Sequence, residues 1–159
     1  IKQADDVMAY IAVRNALGAS KKKFERKALT RSILTKPEVV HVGFTISEAQ
    51  RNDFEVDIIH INLPQESPRT SQCFAQVYLD RQHKGRLLGA TLAGDGMHEV
   101  IGHFSLALQN QQKLDDLAKI YIPDKSRSAV IHDLHAAFQA QNAPSTVQKW
   151  LPKLGRHLP

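Results

Sequence analysis

The segment from Gly85 to Leu108 constrains the fold more than any other part of the chain, because its hydrophobic period changes once along its length. The apolar run between Gly85 and Gly94 is typical of a short strand that is covered on both faces. After Gly96 the apolar residues recur at helical spacing, at Met97, Val100, Ile101, Phe104 and Leu108. The segment therefore predicts a buried strand that passes through a glycine turn into an amphipathic helix.

The rest of the chain predicts a sheet followed by helices. Strands are predicted over 39–44, 56–63, 73–79 and 87–93, and a short extended segment within 24–34 precedes them. Helices are predicted over 3–17, 47–51, 97–109, 114–119 and 128–141. The polar loop 80–85 is typical of a hairpin that pairs the third strand with the fourth. Consecutive strands followed by helices indicate an α+β fold, with helices packed on one face of an antiparallel sheet.

Composition narrows the class of protein. A chain of 159 residues suits one domain, or one domain with an attachment, and its 42% hydrophobic and 23% charged residues are ordinary for a globular protein. Its apolar runs are far shorter than the roughly 20 residues of a membrane span. Cys73 is the only cysteine, which excludes an internal disulfide and fits a cytoplasmic location. The start at Ile1, without a methionine or a secretory signal, predicts a piece of a longer protein.

The net charge of +5 is concentrated near the two ends of the chain. The run Lys21–Lys23 has one aromatic neighbour, Phe24, and no recognisable nucleic-acid motif, so we interpret it as a solvated loop and expect no nucleic-acid partner. The segment 142–159 is basic and apolar at helical spacing, with Trp150 and three leucines. Two interpretations of it are open, a helix on a membrane surface and a segment packed against the body or a partner subunit.

Three blocks of sequence occur in an order and spacing that are typical of one known domain. They are Thr35–Thr45 (TKPEVVHVGFT), Gly85–Leu108 (GRLLGATLAGDGMHEVIGHFSLAL) and Leu114–Ala118 (LDDLA), with a weaker likeness back to Ile11–Asn15. Together they resemble the C-terminal dimerisation domain of the FAD-dependent pyridine nucleotide–disulfide oxidoreductases, which include dihydrolipoamide dehydrogenase, glutathione reductase and mercuric reductase. The resemblance spans residues 1–140. It implies the α+β fold given above and a homodimer.

The resemblance also implies where cofactors bind in the longer protein. FAD and NAD(P)H belong to domains that carry a G-x-G-x-x-G fingerprint, which this chain lacks, because Gly94-Asp95-Gly96 has no third glycine at the right distance. No cofactor is therefore expected in this chain. In the family, the helix matching residues 3–17 points its N-terminus at the flavin, so Lys2, Gln3 and Ala4 are expected near FAD in the parent protein only.

The family's acid–base pair is missing. The dimerisation domain of the disulfide reductases supplies a histidine and, five residues later, a glutamate that orients it. Asp124 and Ala129 occupy those two positions here, with Ser126 and Ser128 at the small hydroxyl positions. In the alternative register the positions fall on Ile122 and Arg127. Neither register supplies a catalytic residue, and reduction of lipoamide or glutathione disulfide by this machinery is not expected.

Other histidines leave alternatives open. His132 and His135 lie one turn apart on a predicted helix. They suit either a role as base or metal ligand or a position that faces solvent or an interface. Without a third ligand nearby we predict no metal site. On the helix 97–109, Glu99 aligns with a glutamate of the family that suits an interface role. His98 stands where the family has small residues.

The resemblance divides the chain into three parts and implies its function. Residues 1–34 are a remnant of the flavin-binding domain, 35–141 the dimerisation domain and 142–159 a basic amphipathic extension. The chain is expected to be the dimerisation domain of an FAD-containing, NAD(P)-dependent oxidoreductase, not catalytic alone. The alternative is a free-standing homodimerising interaction domain without a redox role. The predicted dimer interface, in the region 97–141 and its adjoining sheet, includes Glu99, Val130, Leu134 and Phe138; helices that only cover a monomer's sheet are the alternative.

Overall fold

The computed structural model describes residues 2–18, 21–64 and 72–143. The helices are α1 (Lys2–Ala16), α2 (Ile46–Arg51), α3 (Met97–Gln109), α4 (Leu114–Leu117) and α5 (Val130–Asn142), with 3₁₀ turns at Arg26–Ala28 and Arg127–Ala129. The strands are β1 (Arg31–Ile33), β2 (Val39–Gly43), β3 (Val56–Asn62), β4 (Phe74–Asp80) and β5 (Arg86–Ala93). The predicted elements are confirmed, and their bounds differ from the prediction by a few residues at most.

The five strands form one antiparallel sheet in the order β1-β2-β5-β4-β3. β5 lies in the middle of the sheet, where both of its edges pair with neighbouring strands and both of its faces are covered. This position explains its long apolar run. The predicted hairpin between β4 and β5 is confirmed, with Leu79 opposite Leu87. A capping box begins α2, since the Thr45 backbone N–H donates to a Glu48 carboxylate oxygen at 2.9 Å and the Glu48 N–H donates to Thr45 Oγ1 at 3.2 Å.

The core lies between one face of the sheet and the helices α3, α4 and α5, so the predicted α+β fold is confirmed. Phe104 of α3, Leu114 of α4 and Leu134 of α5 are fully buried in this layer together with Val77 and Leu92 of the sheet. The opposite face carries a smaller apolar cluster beneath the short helix α2. Its buried members are Ala49, Tyr78 and Leu88, and Phe44 and Phe54 pack against them.

The structure corrects the expectation that Val130 and Leu134 face a second subunit. They are 3% and 0% exposed, because α5 lies over β3 and β4 and presents its apolar face to the protomer's own sheet. Phe138 is half-buried, and its ring lies against Gly85, where an added Cβ would come within 2.9 Å of Phe138 Cζ. Glu99 differs from these three residues, because its side chain is 80% exposed.

The helix α1 carries apolar side chains that the described part of the chain leaves uncovered. Val7, Met8, Tyr10, Val13 and Leu17 are between 40% and 80% exposed. The loop that follows is tied back to the helix, because the Asn15 amide both accepts from the Lys22 backbone N–H at 2.8 Å and donates to the Lys22 carbonyl at 3.0 Å. The predictions for the side chains of Lys2 and Gln3, and for the extension from residue 144 onward, lie outside the described residues.

Candidate functional site

A cleft of about 800 Å³ opens where the sheet meets the first turns of α3 and α5. Three parts of the fold form its walls: the segment before β2, the turn between β5 and α3, and the 3₁₀ turn before α5. Residues at the ends of β3 and β4 complete it. Its lining residues are Lys36, Pro37, Glu38, Leu63, Pro64, Cys73, Gly94, Asp95, Met97, Ser126, Arg127, Ala129, Val130 and Asp133.

A glutamate–histidine pair lies at this cleft. Glu38, which lines it, accepts a hydrogen bond from His98 Nδ1, with the two atoms 2.6 Å apart. The two side chains are 22% and 50% exposed. The other ring nitrogen, His98 Nε2, is 4.0 Å from the nearest Glu99 oxygen, which is beyond hydrogen-bond distance.

Each member of the pair shifts the pKa of the other. The hydrogen bond to Glu38, and then the negative charge of Glu38, raise the pKa of His98 above 6.5, against a small opposing effect of burial. The hydrogen bond from His98 lowers the pKa of Glu38 below 4.5. The hydrogen bond therefore favours the charged form of each partner, an imidazolium beside a carboxylate.

Arg127 closes one side of the cleft by packing across the glycine turn before α3. Gly96 has a left-handed backbone (φ 72°), and an added Cβ there would lie 2.7 Å from Arg127 Cδ. A residue with a side chain at position 96 would thus be strained and would also displace Arg127. The positive charge of Arg127 contributes to the lowered pKa of Glu38 as well.

The residues that the resemblance assigns to the family's two acid–base positions lie in or next to this cleft. Ala129 lines it and Asp124 lies on the exposed turn just before it. In the alternative register, Arg127 lines the cleft and Ile122 packs against the core. The side chains at these four positions cannot reproduce the family's imidazole–carboxylate pair, since none of them is a histidine or a glutamate.

The histidines of α5 point to different partners. His135 Nε2 lies 2.9 Å from Asp115 Oδ1, and His132 Nε2 lies 3.2 Å from the Ile120 carbonyl oxygen. They therefore join α5 to α4 and to the loop after it. Across the described ranges, no group of three or more potential ligands comes close enough to hold a metal ion.

Reasoning from the sequence missed the pairing of Glu38 with His98. The two residues are 60 positions apart, so no local spacing connects them. Two signals were nevertheless present. Glu38 belongs to the TKPEV block at the start of β2, and His98 stands where the family has small residues.

Comparison with known proteins identifies the domain. A sequence profile described as the dimerisation domain of the pyridine nucleotide-disulphide oxidoreductases matches residues 29–135. The chain belongs to this family. The chain is also 27% identical, over 135 residues, to dihydrolipoyl dehydrogenase 2 of Haloarcula marismortui, and the match covers 82% of this chain and 28% of that protein. It thus spans less than a third of the length of this relative.

Two solved structures share the fold. LpdA from Mycobacterium tuberculosis aligns with a TM-score of 0.67 and 22% identity, over 80% of this chain and 28% of that one. The HOCl-induced flavoprotein disulfide reductase RclA from Escherichia coli aligns with a TM-score of 0.68 and 20% identity, over 80% and 30% of the two chains. At this identity the likeness establishes the fold alone.

The glycine turn before α3, Gly94-Asp95-Gly96, packs against the side chain of Arg127. It lacks the third glycine of a dinucleotide-binding fingerprint. Ala4 is half-buried at the first turn of α1. Separately, in the residues that the structure describes, a helix long and apolar enough to cross a membrane is absent.

Proposed function

We propose that this dimerisation domain belongs to an FAD-containing, NAD(P)-dependent oxidoreductase and that it holds two copies of that enzyme together. The family match over residues 29–135 carries the proposal, and RclA, which shares the fold, is a flavoprotein disulfide reductase. In this proposal residues 1–34 join the flavin-binding domain, 35–141 form the dimerisation domain and 142–159 extend it. The sequence that precedes Ile1 tests the first point, since it should encode a G-x-G-x-x-G fingerprint.

We place the two-fold contact on the outer side of the helical layer. The inner faces of α3 and α5 are used by the core, so Val130 and Leu134 are withdrawn from the interface. Leu106 on the outer side of α3 is 59% exposed and Tyr121, after α4, is fully exposed. We propose that these two residues, with Glu99 and the exposed part of Phe138, contact the same patch of a second copy.

The isolated chain is expected to sediment as a dimer, at twice its 17.8 kDa monomer mass. Leu106→Lys should weaken the dimer at least tenfold, about 1.4 kcal/mol, because a charge would be buried in the contact. Sedimentation equilibrium measures both. Ile33→Lys is the control, since Ile33 is 62% exposed on β1, on the opposite face of the sheet. A monomer that persists at tens of micromolar, or equal effects of the two variants, would contradict the proposed interface.

The isolated chain is also expected to be colourless and to bind no FAD. The sequence lacks the glycine fingerprint that binds the phosphates of a dinucleotide. Absorbance of the purified chain, and quenching of flavin fluorescence on titration, give the measurement. The full-length protein, purified in parallel, should be yellow. A stoichiometric flavin band in the isolated chain would show that a binding site exists within it.

A further inference from the structure

A short segment at the edge of the sheet is held to α3 at both of its ends. Before the segment, Ser105 Oγ of α3 donates a hydrogen bond to the Ala28 carbonyl oxygen at 2.6 Å. After it, His98 Nδ1 of α3 lies 2.6 Å from a carboxylate oxygen of Glu38. We call the intervening residues 29–37 the strap. Its middle is β1, which covers the outer edge of β2.

The middle of the strap is weakly attached to the sheet. β1 has three residues, and all of them are exposed. It pairs with β2 from Arg31, opposite His41, to Ile33, opposite Val39. The Ile33 side chain is 62% exposed, so burial of apolar surface stabilises this pairing little. A short edge strand with so few buried contacts opens at a lower free energy than the centre of a sheet.

His41 of β2 lies directly opposite Arg31 of the strap, on the face of the sheet that does not contact the core helices. Its Nε2 is 3.2 Å from the Gly43 carbonyl oxygen, and its Nδ1 is 2.9 Å from Thr91 Oγ1. A carbonyl oxygen only accepts, so Nε2 carries the proton and Nδ1 accepts from the Thr91 hydroxyl. Thr91 Oγ1 accepts in turn from the Tyr78 hydroxyl at 3.0 Å. The neutral imidazole therefore has a partner at both nitrogens.

A second proton on His41 acts against this arrangement. Nδ1 would no longer accept from Thr91, and an imidazolium would lie across from the Arg31 guanidinium, where like charges destabilise a strand pair. Burial has the largest effect on the pKa of His41 and lowers it below 6.5; Arg31 of β1 lowers it further, whereas Glu48 of α2 raises it. Tyr78 of β4 presents only its hydroxyl to this network. Because the pKa is lower with the strap in place, protonation favours a state in which the imidazole is exposed and away from Arg31.

We propose that the strap is a pH-sensitive device whose middle separates from β2 when His41 is protonated. The free energy of opening should be constant well above pH 6.5 and should fall as the pH drops below it. The Glu38–His98 pair responds in the opposite direction, because its hydrogen bond raises the pKa of His98, so acid strengthens this end of the strap. Opening uncovers the outer edge of β2, whose backbone groups are then able to pair with another strand. The device does not depend on the proposed function.

Hydrogen exchange of the 159-residue chain, followed by NMR at about pH 7.5 and pH 5.5, tests the strap. After correction for intrinsic exchange, the β1 amides should lose protection roughly threefold at the lower pH, the size expected for a like-charge pair across two strands. The amides of Val77 and Ala90, which pair at the centre of the sheet, should keep their protection.

Three variants separate the contribution of His41 from other effects of acid. His41→Gln does not titrate, so its β1 protection should be the same at both pH values. Arg31→Gln removes the opposing charge, so the loss in acid should shrink and NMR titration should give a higher pKa for His41. His60→Gln is the matched control, because His60 lies in the same row across the sheet, on β3, and bonds to Asn62. It should behave as the wild type does.

Each result decides for or against the strap. Equal β1 protection at the two pH values would overturn the proposal, as would a loss in acid that persists in His41→Gln. An equal loss at Val77 and Ala90 would assign the effect of acid to the whole fold and overturn it too. If His41→Gln does not fold, the titration of His41 in Arg31→Gln decides, and an unchanged pKa would show that Arg31 does not oppose the imidazolium.

Discussion

Gly89→Ala is expected to destabilise the domain by about 3 kcal/mol, the upper end of the usual cost of overpacking a core. Gly89 lies on the central strand β5, opposite Gly43 of β2 and Tyr78 of β4. An added Cβ would overlap the carbonyl oxygen of Phe44 and would lie 3.1 Å from Tyr78 Cδ2. The Phe44 oxygen belongs to the backbone, which is held in place because the Phe44 N–H donates to the Leu88 carbonyl at 2.9 Å. The overlap can therefore be relieved only if β2 and β5 separate.

Gly102→Ala is the matched control, because the same methyl group is added in open space. Gly102 lies within α3, and an added Cβ there meets no atom within 4 Å. Alanine at this position should stabilise the helix by roughly 0.5–1 kcal/mol, an effect opposite in sign to that of Gly89→Ala. Urea unfolding should therefore shift the midpoint down for Gly89→Ala and up for Gly102→Ala, with the same m-value. A Gly89→Ala midpoint within the error of the wild type would show that the two strands separate at little cost.

The sheet was predictable because its strands are apolar and consecutive and are separated by polar turns. The central position of β5 could be inferred because its apolar residues lie on both faces of the strand. Such a strand is stable only where both of its faces are covered. The extended segment within 24–34 was predicted without its partner. The structure shows that Arg31–Ile33 pairs with β2, which places this short strand at the edge of the sheet.

The error at Val130 and Leu134 has a physical cause. Helical spacing shows which face of a helix is apolar, but it does not show which surface covers that face. α3 covers β2 and β5, whereas α5 covers β3 and β4, so a single five-stranded sheet accommodates both apolar faces. The apolar face of α5, from which a second subunit was predicted, is therefore covered by the sheet of its own chain.

The polar sites were the least predictable part of the molecule. The Glu38–His98 pair depends on the distance between two elements, which spacing along the chain does not determine. Asp80 belonged to a segment predicted as a polar hairpin loop, yet its side chain is 1% exposed. Asp80 finds its partners within its own hairpin, at His83 and Arg86, whereas Glu38 finds its partner in a distant part of the chain.

Asp80→Asn is expected to destabilise the domain by about 3 kcal/mol at pH 7, as breaking a buried ion pair typically does. Asp80 accepts hydrogen bonds from Arg86 Nη2 at 2.8 Å, His83 Nδ1 at 2.7 Å and the backbone N–H groups of Gln82 and His83 at 3.1 and 3.3 Å. An amide oxygen can accept some of these bonds, but it carries no charge to balance Arg86. Urea unfolding at pH 7 measures the loss.

Asp57→Asn on the neighbouring strand β3 is the control for the same chemical change. Asp57 pairs with Arg81 at 2.6 Å, but the Arg81 side chain is 63% exposed, so the loss should stay below about 1 kcal/mol. If Asp80→Asn lowers the free energy of unfolding no more than Asp57→Asn does, burial adds nothing to the contribution of the Asp80 carboxylate to stability.

The dependence of the Asp80→Asn effect on pH follows from the direction of the pKa shift. Burial alone raises the pKa of Asp80, but the hydrogen bonds from Arg86 and His83 outweigh it, and the net pKa lies below 3.8. Because the folded pKa is the lower one, the carboxylate stabilises the fold fully above the unfolded pKa. This contribution is lost as the pH falls through the folded pKa. The difference in unfolding free energy between wild type and Asp80→Asn should therefore be constant from pH 6 to pH 7 and shrink in acid below about pH 4. A difference that stays constant into acid would mean that the variant loses packing rather than the charge of Asp80.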